Sequence, residues 1–254
     1  MKFRAEHVQA FQEVRMPDFE NFMVEHMKSF SPLHSQSLGD DGMRALIRFG
    51  VDRAKTVGFT HRAPVQFYIE TMILLGAEFD TDPQYPAVGK MLRDPATSDQ
   101  TQRANKVHAW LMQFLDAAGG PDRQFAQQAL RRARALPLES TPVASPRFAD
   151  EALRRLRANH PEKANYLGDA VLRGLIPRAT EEARQYAVDT DNGVCLFVGL
   201  MFAVGHGFAR DPKYPWVMNT LTNPSIKDRE TRVERLYSKT MTYLDHVLQH
   251  LGGT

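Results

Sequence analysis

Gly205-His-Gly-Phe-Ala-Arg-Asp-Pro-Lys-Tyr-Pro-Trp216 is matched, 129 residues earlier, by Gly76-Ala-Glu-Phe-Asp-Thr-Asp-Pro-Gln-Tyr-Pro-Ala87. The glycine, the phenylalanine, Asp-Pro and Tyr-Pro recur in register, and that register holds well beyond the block. Residues 14–118 align with 143–247 at the constant offset of 129 without a gap. About a quarter of the pairs are identical, where ordinary composition gives roughly one in seventeen. Leu38-Gly39-Asp40 returns as Leu167-Gly168-Asp169, Arg44 as Arg173, Asp99 as Asp228, Arg103 as Arg232 and Leu115-Asp116 as Leu244-Asp245. A gapless match of this length is a tandem duplication of one multi-helix unit, not a short-period solenoid.

Each copy reads as helices. Met43, Leu46, Ile47, Val51 and Ala54 recur at three and four residues, one apolar stripe on a helix to about Val57. Asp40 and Asp169 stand where an N-cap carboxylate is expected. Val65–Leu75 and Val194–Val204 are apolar nearly all round. Val194-Cys-Leu-Phe-Val alone also suits a strand, but its counterpart Gln66-Phe-Tyr-Ile-Glu-Thr-Met-Ile reads as helix, so a central buried helix is expected in both copies. Gly76 and Gly205 then end it. In the following turn Asp82 and Asp211 are expected to cap, with Pro83 and Pro212 at the first helical position. Phe79 and Phe208 anchor the turn to the core. Asp99 and Asp228 cap a long last helix, with Arg103 and Arg232 four residues on and in reach for pairing. Phe19–Phe30 and Phe148–Asn159 are the first helices of the copies, and Val8–Val14 a separate N-terminal one.

Between the copies, Gly119-Gly120-Pro121 stops a helix, Arg123–Ala135 forms a basic connecting helix, and 137–146 is a Pro/Ser/Thr loop. The expectation is an all-α protein, a helical bundle with approximate twofold relation between its halves. It divides into an N-terminal repeat at 1–118, a linker with a basic helix at 119–146 and a C-terminal repeat at 147–254.

Composition excludes several classes. At 254 residues, 43% apolar and 24% charged, the chain is long and apolar enough for a core. A net charge of +2 gives no reason to expect a nucleic-acid partner. The basic residues Arg131, Arg132, Arg134, Arg154, Arg155 and Arg157 are interspersed with acids and lack interleaved aromatics, so a solvated or partner-facing surface is expected there. One cysteine, Cys195, forms no internal disulfide, and no stretch reaches the roughly 18 apolar residues of a membrane helix. A cytoplasmic protein without membrane insertion is expected.

No motif identifies a reaction. There is no Gly-x-Ser-x-Gly and no phosphate-binding glycine loop. The sequence implies no cofactor, and Cys195 sits in an apolar run as an inert small hydrophobe. Positions where the copies differ are the better candidates for a single site. Glu70 interrupts an apolar helix where copy two has Gly199, and needs a partner such as Arg44, Arg48 or Arg173. His206 replaces Ala77 beside the turn. Those two are the candidates for acid–base chemistry between the halves. His246 and His250, four apart on the last helix, have the spacing of two metal ligands without an evident third. Tyr85, Tyr214, Trp216, Tyr237 and Tyr243 are candidate aromatic anchors for a partner, with plain core roles as their alternative.

The block Gly-x-x-Phe-x-x-Asp-Pro-x-Tyr-Pro-Trp, preceded by Leu200-Met-Phe and followed by Arg232-Val-Glu-Arg-Leu-Tyr, resembles that of uncharacterised bacterial helical proteins encoded near type VI secretion effectors and spike-tip (PAAR) proteins. Both halves carry it, although Ala87 stands in place of Trp216 in copy one. The resemblance implies a protein-binding role, as effector adaptor, chaperone or immunity protein, with a secreted effector or its spike-tip carrier as partner. An enzyme sited between the halves and a self-associating structural component are the alternatives.

Overall fold

A computed structural model describes residues 5–138 and 142–252, with the side chains of 5–15 and 252 left aside. Among the described residues all regular structure is helical, and the central segments are helices, not strands. The chain forms two compact units, residues 1–74 and 75–254. This division and the 129-residue sequence repeat are of different kinds, because the last two helices of copy one belong to the second unit.

The first unit holds α1 (Ala5–Phe30), α2 (Pro32–Thr56) and most of α3 (Arg62–Leu75). α1 is continuous through Val8–Val14 and Phe19–Phe30, so the separate N-terminal helix expected from sequence merges into it. Pro17 withholds one backbone donor but does not end the helix. Met23 and Met27 from α1, Met43, Leu46 and Ile47 from α2, and Tyr68 and Ile69 from α3 are all fully buried.

The second unit contains α4 (Pro86–Leu92), α5 (Gln100–Gly119), α6 (Gln124–Ala135), α7 (Phe148–Asn159), α8 (Pro161–Leu167), α9 (Asp169–Gln185), α10 (Asp191–Val204), α11 (Pro215–Leu221) and α12 (Arg229–Gly252). Bounds recur at the repeat spacing: α3 spans 62–75 and α10 spans 191–204, α4 spans 86–92 and α11 spans 215–221. Thr190 caps α10 by accepting from the Gly193 amide at 3.2 Å. That helix buries Val194, Phe197, Val198, Met201 and Phe202, each worth about 1.5–3 kcal/mol when withdrawn from water.

Local chemistry differs from expectation at three places. Asp40 and Asp169 are not caps, because Gly39 and Gly168 take the non-helical position before them at φ 64° and 79°. Asp169 keeps a favourable place in the first turn and pairs with Arg157. Pro86 and Pro215, not Pro83 and Pro212, occupy the first turn of the following helices, because a 3₁₀ turn (Phe79–Thr81, Phe208–Arg210) extends the connection. Arg103 and Arg232 send their guanidinium groups to backbone carbonyls, of Leu92 and of Tyr186 and Ile226 respectively. Asp99 does cap α5 through the Thr101 amide at 2.7 Å, and Asp228 does the same for α12 through Thr231 at 2.7 Å.

Candidate functional site

The pair α1 and α3 in copy one, and the pair α7 and α10 in copy two, present a face that the two copies complete differently. In copy one it is α1 against α3. Phe22, His26 and Phe30 recur every four residues, and their rings stack, with centroids 6.0 and 5.6 Å apart. Arg62 lies over the Phe22 ring at 4.3 Å. His26 Nε2 is 2.8 Å from Glu70 Oε1, and Gln66 Nε2 donates to the same oxygen at 2.9 Å. Glu70 therefore has its partner on α1, not among the arginines expected. Those arginines bond other acceptors: Arg44 bonds Asn21, Arg48 bonds Glu20 and Arg173 bonds Asp150. The Glu70 side chain is 23% exposed, so its charge stays in contact with water.

Copy two replaces Glu70 by Gly199, Gln66 by Cys195, His26 by Arg155 and Leu74 by Ala203. An added Cβ on Gly199 meets nothing within 4 Å. α6 lies opposite, presenting Ala126, Ala129 and Ala133. Small residues on both sides leave an apolar cavity of about 760 Å³, with α7, α11 and α12 completing its walls.

Tyr214, Trp216, Tyr237 and Tyr243 all line this cavity. Tyr214 stands edge-on to Tyr243 at 5.3 Å, and Trp216 lies 6.0 Å from Tyr243. Burial first, and Asp211 near Tyr214, raise the Tyr214 hydroxyl far above its ordinary value and keep it neutral. The Tyr237 hydroxyl donates to Leu136 O at 2.8 Å and so holds the segment leaving α6. Tyr85 is placed elsewhere, edge-on to Trp110 and Phe114 at 5.6 and 5.4 Å. Both motif tyrosines are buried. Sequence reasoning missed the contribution of α6. Its signal was the alanine spacing 126, 129, 133 set against a glycine that replaces a glutamate.

His206 belongs to a different arrangement, where the two Asp-Pro turns meet. Asp82 Oδ2 accepts from the His206 amide at 2.8 Å and Asp211 Oδ2 from the Ala77 amide at 2.9 Å. The second oxygen of each closes its own turn, on Gln84 N at 2.8 Å and Lys213 N at 2.9 Å. The expected helix caps are thus clamps between the copies. The His206 ring is 1% exposed, with Nδ1 3.2 Å from Asp82 and Nε2 3.3 Å from Glu78, neither in aligned hydrogen-bond geometry. Burial works against its charge, but Asp82 and Glu78 outweigh that and raise its pKa. His206 first, then Arg210, hold Glu78 at about 2. His206 thus stands between two carboxylates, and Arg210 also pairs with Glu78.

His246 is exposed and His250 half-buried on α12. Among the described residues no three His, Cys, Asp or Glu side chains gather as a metal site, and no helix is long and apolar enough to cross a membrane. No known protein family matches the chain, and neither the curated proteins nor the solved structures offer a match.

Proposed function

We propose that the protein is a non-enzymatic binding component of a bacterial secretion or toxin system, acting in the cytoplasm as effector adaptor, chaperone or immunity protein. Its docking surface is the aromatic stripe of α1. The observation that carries this reading is the exposure of Phe22 and Phe30, 40% and 37%, on either side of His26. Leu74, one turn beyond Glu70 on α3, is exposed to a similar extent. Exposed apolar patches with a polar surround mark interaction surfaces, and aromatic anchors dominate their energetics. A helix is the occupant that fits, because the corresponding face of copy two lies under the chain's own helix α6. The resemblance carried by the Gly205–Trp216 block points to a secreted effector or its spike-tip carrier as the source of that helix.

The test is purification of the tagged chain from its own host beside a Phe22→Ser/Phe30→Ser variant. A stoichiometric protein partner is expected with the parent chain and absent from the variant, with unchanged circular dichroism. A partner retained equally by both, or self-association alone, overturns the reading.

A further inference from the structure

We propose that the cavity of the second unit binds a free long-chain carboxylate, an unbranched apolar tail with an anionic head. This site is separate from the α1 stripe and does not depend on it. Its volume of about 760 Å³ falls in the ligand-pocket range of roughly 300–1,000 Å³ and far exceeds the voids of a packed core. The void is built in, because Gly199 points open space at Ala129 and Ala133 where copy one carries a glutamate at the equivalent position.

Its walls are apolar and aromatic, and its charged lining groups are all cationic: Arg132, Arg154 and Arg155, with no carboxylate among the described lining residues. Arg154 and Arg155 both bond one carboxylate behind the wall, Glu151. Arg132 bonds neutral oxygens, Asn159 O and Gln128 Oε1, at 3.3 Å. Arg132, whose bonded partners are both neutral, is the lining cation that suits an anionic head, and arginine is the side chain best shaped to receive a carboxylate.

Two reporters lie in the wall: Trp216 and the chain's single cysteine, Cys195. The probes are dodecanoate, 1-dodecanol and dodecyltrimethylammonium, each below its micelle concentration, read by tryptophan fluorescence and by the rate of Cys195 reaction with a thiol reagent. Dodecanoate is expected to saturate and to slow Cys195 labelling about tenfold, with dodecanol weaker and the ammonium weakest. Gly199→Leu fills the void and abolishes both signals, and its Cβ meets no atom, so the helix tolerates it. If that variant fails to fold, Cys195→Phe, read by fluorescence, serves in its place. Arg132→Gln weakens dodecanoate several-fold and leaves dodecanol unchanged. Absence of saturation in the parent chain, equal binding of the ammonium, or full binding in the filled variant overturns the proposal. None of these results bears on capture of a partner by the α1 stripe.

Discussion

Asp82 and Asp211 exchange partners: each carboxylate accepts the backbone amide that follows the helix-ending glycine of the other copy, His206 after Gly205 and Ala77 after Gly76, at 2.8 and 2.9 Å. Both are buried, at 2% and 3% exposure. The identical Asp-Pro-x-Tyr-Pro turns are therefore fastened to each other, so one copied motif supplies both sides of the contact. Phe79 and Phe208, buried beside them, set the turns into the core as expected.

Removing one clasp is expected to destabilise more than any surface change. Asp211→Ala deletes two amide acceptors and the carboxylate 3.5 Å from the buried Lys213 ammonium. Breaking a buried charge pair from one side costs about 3–5 kcal/mol. Urea unfolding at neutral pH measures it. A loss within 0.5 kcal/mol, the size of a surface substitution, contradicts the clasp.

The same crossing explains why glycine is required at 76 and 205. Their φ values are 111° and 103°, and an added Cβ falls 2.7 Å from Val204 O and 2.8 Å from Leu75 O. Gly76→Ala strains its own backbone and pushes on the opposite one. Gly199→Ala enters open space inside a helix and is expected to stabilise by about 0.5–1 kcal/mol. Thermal unfolding of the two variants should move in opposite directions.

The sequence repeat made these turns findable, since identity at a constant offset marks positions that both copies need. Helix type, and the bounds of α3 and α10 within about three residues, followed from the 3.6-residue spacing and from the glycine stops. What Asp82 and Asp211 bind was hidden, because their partners are backbone amides more than a hundred residues away, and amides carry no residue-type signal. Pro83 drew the helix start too early for a related reason: a 3₁₀ turn leaves little trace in apolar spacing. Glu70 was correctly singled out as needing a partner, but His26 lies on a helix whose facing could not be ranked against three arginines. The cavity needed both the copy difference at Gly199 and the path of α6, and only the first is written locally.

Glu70→Gln tests whether the His26 contact is more than a surface pair. Both side chains keep about a quarter of their exposure, so the pair is screened and the expected change is within about 1 kcal/mol. The Phe22–His26–Phe30 stack should persist, since Gln at 70 still offers an oxygen to His26. Partner capture through α1 should survive in Glu70→Gln and fail in the Phe22→Ser/Phe30→Ser variant. Loss of capture in Glu70→Gln would assign the docking energy to the carboxylate instead.

The pH dependence of stability should carry two opposed contributions from the second unit. His206 has a raised pKa in the fold. Its contribution is complete below the ordinary histidine value of about 6.5 and disappears as pH rises through the raised value. Lys163 behaves oppositely. Its ammonium is buried, donates to Phe202 O and lies 4.9 Å from the centre of the Phe202 ring. Burial, only partly offset by Asp82, lowers it to about 8 from 10.5. Below pH 8 the fold bears the full cost of the buried charge, about 3 kcal/mol from the size of the shift. That cost shrinks between 8 and 10.5 as the folded state sheds its proton. Lys163→Met is therefore expected to be more stable than the parent chain at pH 7, with the advantage fading by pH 10.5. His206→Gln is expected to be less stable at pH 6 and to converge with the parent as pH rises. Urea midpoints at pH 6, 7, 9 and 10.5 separate the two, and a Lys163→Met advantage that grows with pH would reverse the assignment.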